Sequence, residues 1–215
     1  MPRPRLLLLH GVATRGDVWN PVIAELSSLG VDAVVDAPDR PASGDLGREL
    51  DWLAPRARDA IVVGFSGGAT LGLALASSGH RMRAALLHEP AVGSLAPGLL
   101  APVVAAYESE GYAGFGTALY GPLWRPSMCV DGDAAVDREL PMFRAFEPAA
   151  ASPHQGRIVV TVGALSPAPR HEAAEALRAR LGYEIVEMPG SGHFAAVGNP
   201  RVFADHIRAL VAAES

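Results

Sequence analysis

Ser66 is the residue of this chain with the clearest claim to nucleophilic chemistry. It stands at the centre of Gly64-Phe65-Ser66-Gly67-Gly68, after the β-branched run 60–63 and before an apolar helical pattern. That is the sequence form of a nucleophile elbow, in which a buried parallel strand turns tightly into a helix and presents the central hydroxyl at the strand's carboxyl end. Such a corner needs small neighbours. Gly64 and Gly68 keep the strand and helix from colliding, and Gly67 is expected to leave open space above the serine. The first N–H groups of the helix would then lie beside the hydroxyl. Small residues are common in strand-to-helix turns, so the motif needs partners elsewhere in the chain.

A serine hydroxyl is a poor nucleophile until a base takes its proton. Of the seven histidines, His193 is the best placed, in Pro189-Gly190-Ser191-Gly192-His193, a glycine-flanked loop after the last strand-like run. His80, His154, His171 and His206 fall in helical or loop contexts with no catalytic company. His88 falls at a strand end and reads as a packing or supporting residue, and His10 as a structural residue of its loop.

The elements that must position these residues follow from periodicity and punctuation. Short apolar runs suited to strands buried on both faces occur at Arg5–Leu9, 31–35, 60–63, Ala84–His88, 158–162 and Glu184–Met188. Helical stripes lie between them. Asn20-Pro21 and Asn199-Pro200 read as Asn caps with proline at the first helical position. Asp45 reads as a third cap, and Gly30, Gly79 and Gly182 as helix stops. Six alternations of strand and helix imply an α/β fold with a largely parallel sheet. The rhythm breaks between Pro90 and Gly156, a segment too long for a plain connection. It carries Tyr107, Tyr112, Phe115, Tyr120, Trp124, Met128, Phe143 and Phe146, and reads as a crossover helix plus a small helical lid, roughly 97–150. Half of these side chains are expected in the core and the rest along a cleft.

Composition narrows the chemistry. At 215 residues and 49% apolar, the chain is long enough for one domain, 1–215, with a sizeable core. All 18 basic residues are arginine, which excludes a P-loop, a Schiff base and a lysine general base. A net charge of −5 with no basic stripe argues against a nucleic-acid partner. The single Cys129 cannot form an internal disulfide and reads as a packing residue, compatible with a reducing, cytoplasmic setting. Leu6 to Leu9 are too few for a signal peptide, and no run approaches membrane-spanning length. His171-Glu172-Ala173-Ala174-Glu175 lacks the second histidine of a metalloprotease helix, and that helix reads as solvated. No Cys–His cluster suggests zinc, and the elbow glycines lack dinucleotide spacing, so neither metal nor cofactor is expected. Asp39 reads as holding its own loop by hydrogen bonds, with the border of the site as the alternative.

His10-Gly11 after the first strand, the Gly64–Gly68 elbow after the third and Gly192-His193 after the last together resemble the α/β-hydrolase superfamily, over nearly the whole chain apart from the lid. The resemblance implies a six-stranded parallel sheet of order 2-1-3-4-5-6. It implies Ser66 as nucleophile, His193 as base, and the backbone N–H groups of Val12 and Gly67 as the oxyanion hole. The chain departs from the family after the fifth strand. There the usual aspartate is missing from Gly163-Ala164-Leu165-Ser166-Pro167, and Ser166 stands in its place. A subset of the superfamily draws its acid from the end of the preceding strand, where this chain has Glu89, in Leu87-His88-Glu89-Pro90. Asp131, Asp133 and Asp137 of the lid region compete for the role, as does a Ser–His dyad with Ser166 as a weak orienter.

The expected activity is cleavage of a carboxylic ester or related acyl bond of a small apolar molecule, without cofactor or metal. The alternatives are a non-hydrolytic use of the same residues, such as C–C cleavage or lactone chemistry, and a ligand-binding member with little turnover.

Overall fold

The computed structural model describes residues 3–214. Six parallel strands form one open sheet in the order β2-β1-β3-β4-β5-β6: the alternation of strands and helices predicts the parallel sheet, and the family resemblance implies its order. They are β1 (Arg5–Leu9), β2 (Val34–Asp36), β3 (Ile61–Phe65), β4 (Ala84–His88), β5 (Arg157–Gly163) and β6 (Glu184–Met188). The residues of β3 and β4 are all buried, which explains their continuous apolar runs.

The connections are α1 (Asn20–Ser28), α2 (Leu46–Ala57), α3 (Gly67–Ser77), α4 (Ala101–Tyr120), α5 (Asp133–Arg144), α6 (Ala168–Leu181), the single turn α7 (Ala195–Gly198) and α8 (Pro200–Ala213). The right-handed crossover rule puts α1 on one face of the sheet and α2, α3 and α6 on the other; α8, which follows the last strand, joins the α1 face by packing. The direct packing of α2 on α3 agrees with this. The chain runs from β1 to β2 on one side and returns to β3 on the other. The carboxyl ends of β1 and β3 therefore flank the switch point, where open α/β sheets hold their ligands.

Three local expectations need correction. The strand expected at 31–35 is only Val34–Asp36, because the Val31 N–H is spent on Leu26 C=O at the end of α1. Asn20 is not a cap. A 3₁₀ turn, Gly16–Trp19, runs straight into α1, and Asn20 is already helical at φ −52°, so it cannot take the extended cap conformation. Asn199 holds the cap position of α8, but its side chain makes no cap bond. Instead its Nδ2 donates to Pro189 and Gly190 carbonyls in the loop that carries His193. Asp45 does cap α2, accepting from the Arg48 N–H at 2.9 Å.

The segment between β4 and β5 is helical, as expected. Helix α4 is kinked at Gly111, where φ is +63°, and α5 follows after short 3₁₀ turns. Two groups fasten it to the loop after β1: Tyr120 Oη donates to Val12 C=O at 2.7 Å, and Trp124 Nε1 donates to Ala13 C=O at 2.9 Å. A buried ion pair, Arg40 with Glu139 of α5 at 2.7 Å, ties down the other end.

Candidate active site

The site is built from loops that leave adjacent strands at the same sheet edge. In register, Gly64 lies beside Leu9, Phe65 beside His88, and His88 beside Thr161. The next residues along these strands are His10, Ser66, Glu89 and Val162.

Ser66 adopts φ +54° and ψ −124° between β3 and α3, a conformation that costs a non-glycine residue about 1–3 kcal/mol. The surroundings over-determine it. Ser66 N–H donates to His88 C=O at 2.9 Å, and Thr70 Oγ1 donates to Ser66 C=O at 3.0 Å. A Cβ on Gly68 would stand 2.1 Å from Leu9 O, and one on Gly64 2.6 Å from the Gly68 backbone, so both positions require glycine. Gly67 differs from the sequence expectation. The space above it is not open: a Cβ there would meet the Phe143 ring at 2.9 Å and Val12 Cγ2 at 3.2 Å. Tertiary packing from α5 fills what the local motif leaves empty.

Glu89 follows β4 with φ +50°, and its carboxylate is fully engaged. Oε1 accepts from Gly163 N–H at 2.8 Å and from Ser166 Oγ. Oε2 accepts from His193 Nδ1 at 2.8 Å and lies 3.5 Å from Arg170 Nε. Burial raises its proton affinity, but the His193 hydrogen bond, the neighbouring histidines and the Arg170 charge outweigh that and hold the carboxyl below the usual range. Ser166, where the family's aspartate would stand, thus holds Glu89 and does not touch His193.

The other candidate acids lie elsewhere. Asp131 pairs with Arg138, Asp133 Oδ1 accepts from the Tyr112 N–H, and Asp137 Oδ1 accepts from Tyr107 Oη. Asp39 accepts from the Gly16 N–H at 2.7 Å, a loop role.

With Nδ1 facing a carboxylate, the His193 proton belongs on Nδ1, leaving Nε2 as the lone-pair nitrogen. Nε2 is buried and has no hydrogen-bond partner among the described residues. Burial, and then the Arg170 charge, pull the His193 pKa down to about 4, so the imidazole is neutral at neutral pH. His88 props up the loop: Nε2 donates to Gly192 C=O at 3.0 Å while Nδ1 accepts from Thr161 Oγ1.

His10 does the equivalent for the loop after β1. Its Nε2 accepts from the Arg40 N–H, so Nδ1 carries the proton that meets Gly11 C=O at 2.9 Å. Thr14 Oγ1 donates to the same carbonyl. A trans peptide sets N–H opposite C=O, so clamping Gly11 C=O fixes where the Val12 N–H points.

Two residues of the site escaped the sequence reading. Arg170 is buried, lines the small cavity beside Ser66 and donates to Glu89 C=O at 3.3 Å. Its signal was present: Arg170, Ala173, Ala174 and Leu177 form the buried stripe of α6, with an arginine where an aliphatic residue would serve packing alone. Tyr120 spans the site. Its ring stacks on His193 at 5.6 Å and 12°, and its hydroxyl lies beside Ser66. One phenol therefore bridges the two side chains that the sequence places far apart. Phe115 and Phe143 wall the Ser66 cavity, while Trp124 and Phe146 belong to the core. Cys129 packs half-buried against that core, and Glu172 and Glu175 are exposed on α6.

Among the described residues no group of three or more His, Cys, Asp or Glu is arranged to hold a metal ion, and no helix is long and apolar enough to cross a membrane.

A strained serine, a carboxylate-bound imidazole and a glycine-built corner at a switch point form an arrangement suited to acyl transfer. A search of curated proteins returned no significant match. Among solved structures, the chain is similar to the enol-lactonase from Burkholderia xenovorans LB400, at 19% identity and TM-score 0.70 over 99% of this chain and 92% of that one. It is similar to a carboxylesterase from Bacillus subtilis at 15% identity and TM-score 0.69, covering 98% and 84%. The naproxen esterase of the same organism aligns at 18% identity and TM-score 0.64, covering 97% and 83%. At such identities these likenesses speak for the fold alone. The model of the alpha/beta hydrolase family matches residues 6–206, nearly the whole chain and every strand described above, and the chain belongs to that family.

Proposed function

We propose that this protein is a serine hydrolase that cleaves a carboxylic ester, or a related acyl bond, of a small apolar molecule. The observation that carries the reading is the 2.8 Å bond from His193 Nδ1 to Glu89 Oε2, with Nε2 left free. Glu89 selects the tautomer in which Nε2 can accept a proton.

Ser66 Oγ bonds to the substrate carbonyl carbon while its proton passes to His193 Nε2. The carbonyl oxygen becomes an oxyanion held by the Val12 and Gly67 N–H groups. The bond to the leaving group then breaks, and its oxygen takes the proton from Nε2. Water repeats the sequence on the acyl–serine. Its proton goes to Nε2 and then to Ser66 Oγ, and the carboxylic acid departs. The helices between β4 and β5 act as the lid that keeps this chemistry from bulk water. Membership of the alpha/beta hydrolase family supports hydrolysis over a non-hydrolytic step. The binding-module alternative rested on the missing aspartate at Ser166, and with Glu89 against His193 that absence ceases to favour it.

The test is covalent labelling with a fluorophosphonate. A single adduct on the Ser66 peptide, located by mass spectrometry and lost in His193→Ala, is the expected result. A folded protein that stays unlabelled would make it a binding module.

The pH dependence is a second check. Catalysis requires neutral His193, whose pKa lies near 4. The acid limb of the kcat/KM profile is therefore expected near pH 4, with activity flat from there toward neutrality. A limb near 6.5, the ordinary histidine value, would mean that the imidazole is not covered as described. Arg170→Met removes a charge that depresses this pKa, and moves the limb upward.

A further inference from the structure

The loop after β1 carries three successive carbonyls, and each has a donor. Gly11 C=O accepts from His10 Nδ1 and Thr14 Oγ1, both at 2.9 Å. Val12 C=O accepts from Tyr120 Oη at 2.7 Å, and Ala13 C=O from Trp124 Nε1 at 2.9 Å. The first clamp comes from the loop itself. The other two come from the end of α4 and the turn after it, 108 and 111 residues along the chain. Glycines make room for both donors. A Cβ on Gly11 would collide with the Tyr120 hydroxyl, and one on Gly116 with the Trp124 ring.

The loop has reason to need them. Ala13 sits at φ +56°, where a residue with a side chain is strained. That strain has an escape. Turning the Val12–Ala13 peptide over, by opposite rotations about the bonds on either side, returns Ala13 to the extended region at negative φ. The same turn reverses Val12 C=O, the group that Tyr120 holds. Trp124 pins the far side of Ala13 through the next carbonyl. The Val12 N–H belongs to the peptide fixed at Gly11 C=O. With the following peptide released, Val12 pivots on its Cα and the N–H swings with it. An oxyanion donor must stay within about 0.5 Å of its working position, so a pivot of that kind matters.

Resting on the serine-hydrolase reading, we propose that Tyr120 and Trp124 are positioning residues of the oxyanion hole: they hold the strained Val12–Ala13 peptide in the orientation that aims the Val12 N–H at the developing oxyanion. The Tyr120 hydroxyl acts on the reaction through the backbone and not as an acid. Trp124 has its hydrogen bond at Ala13 and its ring on Tyr112 and Gly116. Its effect therefore reaches the chemistry only by way of the loop. The helical segment over the sheet edge is then part of the catalytic geometry as well as a shield from water.

The test compares the wild type with Tyr120→Phe and Trp124→Phe. Para-nitrophenyl acetate is the ester, and phenethyl trifluoromethyl ketone probes the hole. Ser66 Oγ adds to the ketone carbon, its proton passes to His193 Nε2, and the ketone oxygen becomes an oxyanion in an adduct read by fluorine NMR. Tyr120→Phe keeps the ring against His193 and removes only the hydroxyl. Each variant is expected to lower kcat about 10–100-fold, less than the loss of a donor outright, with KM unchanged. The ketone adduct weakens by a similar factor. The acid limb of kcat/KM stays where it is in the wild type, because His193 is untouched. Ala13→Gly is the rescue. Glycine takes positive φ without strain, so adding it to Tyr120→Phe is expected to restore most of the lost kcat and ketone affinity. A tether that only stabilised the fold would lower the unfolding midpoint and leave kcat and the adduct alone.

A Tyr120→Phe protein with wild-type kcat and ketone affinity would overturn the proposal. So would a loss accompanied by a shifted acid limb, which places the hydroxyl's effect at His193. A loss in Tyr120→Phe with a folded Trp124→Phe unaffected places it at Ser66 and has the same consequence, as does a loss that Ala13→Gly leaves in full. Should Trp124→Phe not fold, Tyr120→Phe and its rescue decide the matter. Fluorophosphonate labelling of Ser66 in the wild type separates the two levels of inference. A labelled wild type with any of these contrary results refutes the role of the two aromatic residues alone, and an unlabelled one refutes the nucleophile as well.

Discussion

His193→Ala is expected to lower kcat for an activated ester by about 10⁴–10⁶-fold, the scale of loss when a member of a Ser–His–acid unit is removed. The proposed mechanism routes every proton through Nε2. No other titratable group in the site can substitute for it. His88 is committed at both nitrogens, to Gly192 C=O and Thr161 Oγ1. Arg170 stays protonated at any working pH. Tyr120 is neutral, because burial pushes its hydroxyl well above the ordinary tyrosine range. The residual rate should equal that of Ser66→Ala within a few-fold, since residues acting as one unit are not additive. Steady-state and burst kinetics on the two variants, with circular dichroism to check folding, measure this. A His193→Ala protein within tenfold of wild type would place the base elsewhere.

Glu89→Gln carries the second large effect, an expected loss of at least about 10²-fold and up to about 10⁴-fold in kcat. The size follows from donor counting. Glu89 accepts from Gly163 N–H and Ser166 Oγ on one oxygen and from His193 Nδ1 on the other. A glutamine has one oxygen and one NH₂. The Gly163 N–H cannot turn away, because it belongs to the end of β5, so the amide oxygen must face it and the NH₂ must face His193. That stabilises the imidazole with its proton on Nε2, the tautomer unable to accept from Ser66. Arg170 also loses its counter-charge in a buried setting, a destabilisation on the order of 3 kcal/mol. Thermal unfolding therefore accompanies the assay, which is run well below the midpoint. A folded Glu89→Gln protein with near-normal turnover would exclude Glu89 as the group that orients His193.

Much of this was legible in the chain itself. The strand runs at Arg5–Leu9 and Ala84–His88, the helical stripes and the Asp45 cap are all short-range patterns. They are read from neighbouring residues because the forces behind them act within one turn or one pleat. The elbow is legible for the same reason: a side chain on Gly64 would strike the Gly68 backbone inside a five-residue span, whereas Gly68 is required by the backbone of Leu9 in β1, a contact between distant segments. What failed locally failed where a longer contact intervened. Asn199 gives its side chain to the Pro189–Gly190 carbonyls and not to its own helix. Val31 leaves the sheet because its N–H closes α1.

The sequence by itself determined the strands of a parallel sheet, the helices between them and the tight corner at Ser66, since hydrophobic period and glycine placement encode strands and corners, while the strand order and the meeting of Ser66 with His193 at the working edge were implied by its resemblance to the α/β-hydrolases. Only the tertiary structure decided how the edge is wired. It brought Glu89 to His193 across 104 residues, set Ser166 as a donor to Glu89 and not an orienter of His193, put Arg170 behind the pair and laid Tyr120 across Ser66 and His193. It also filled the space over Gly67 with Phe143. Each of these is a contact between distant segments, and its energy comes from burial and from satisfying polar groups in a shared interior. No local pattern records which partners that interior will supply.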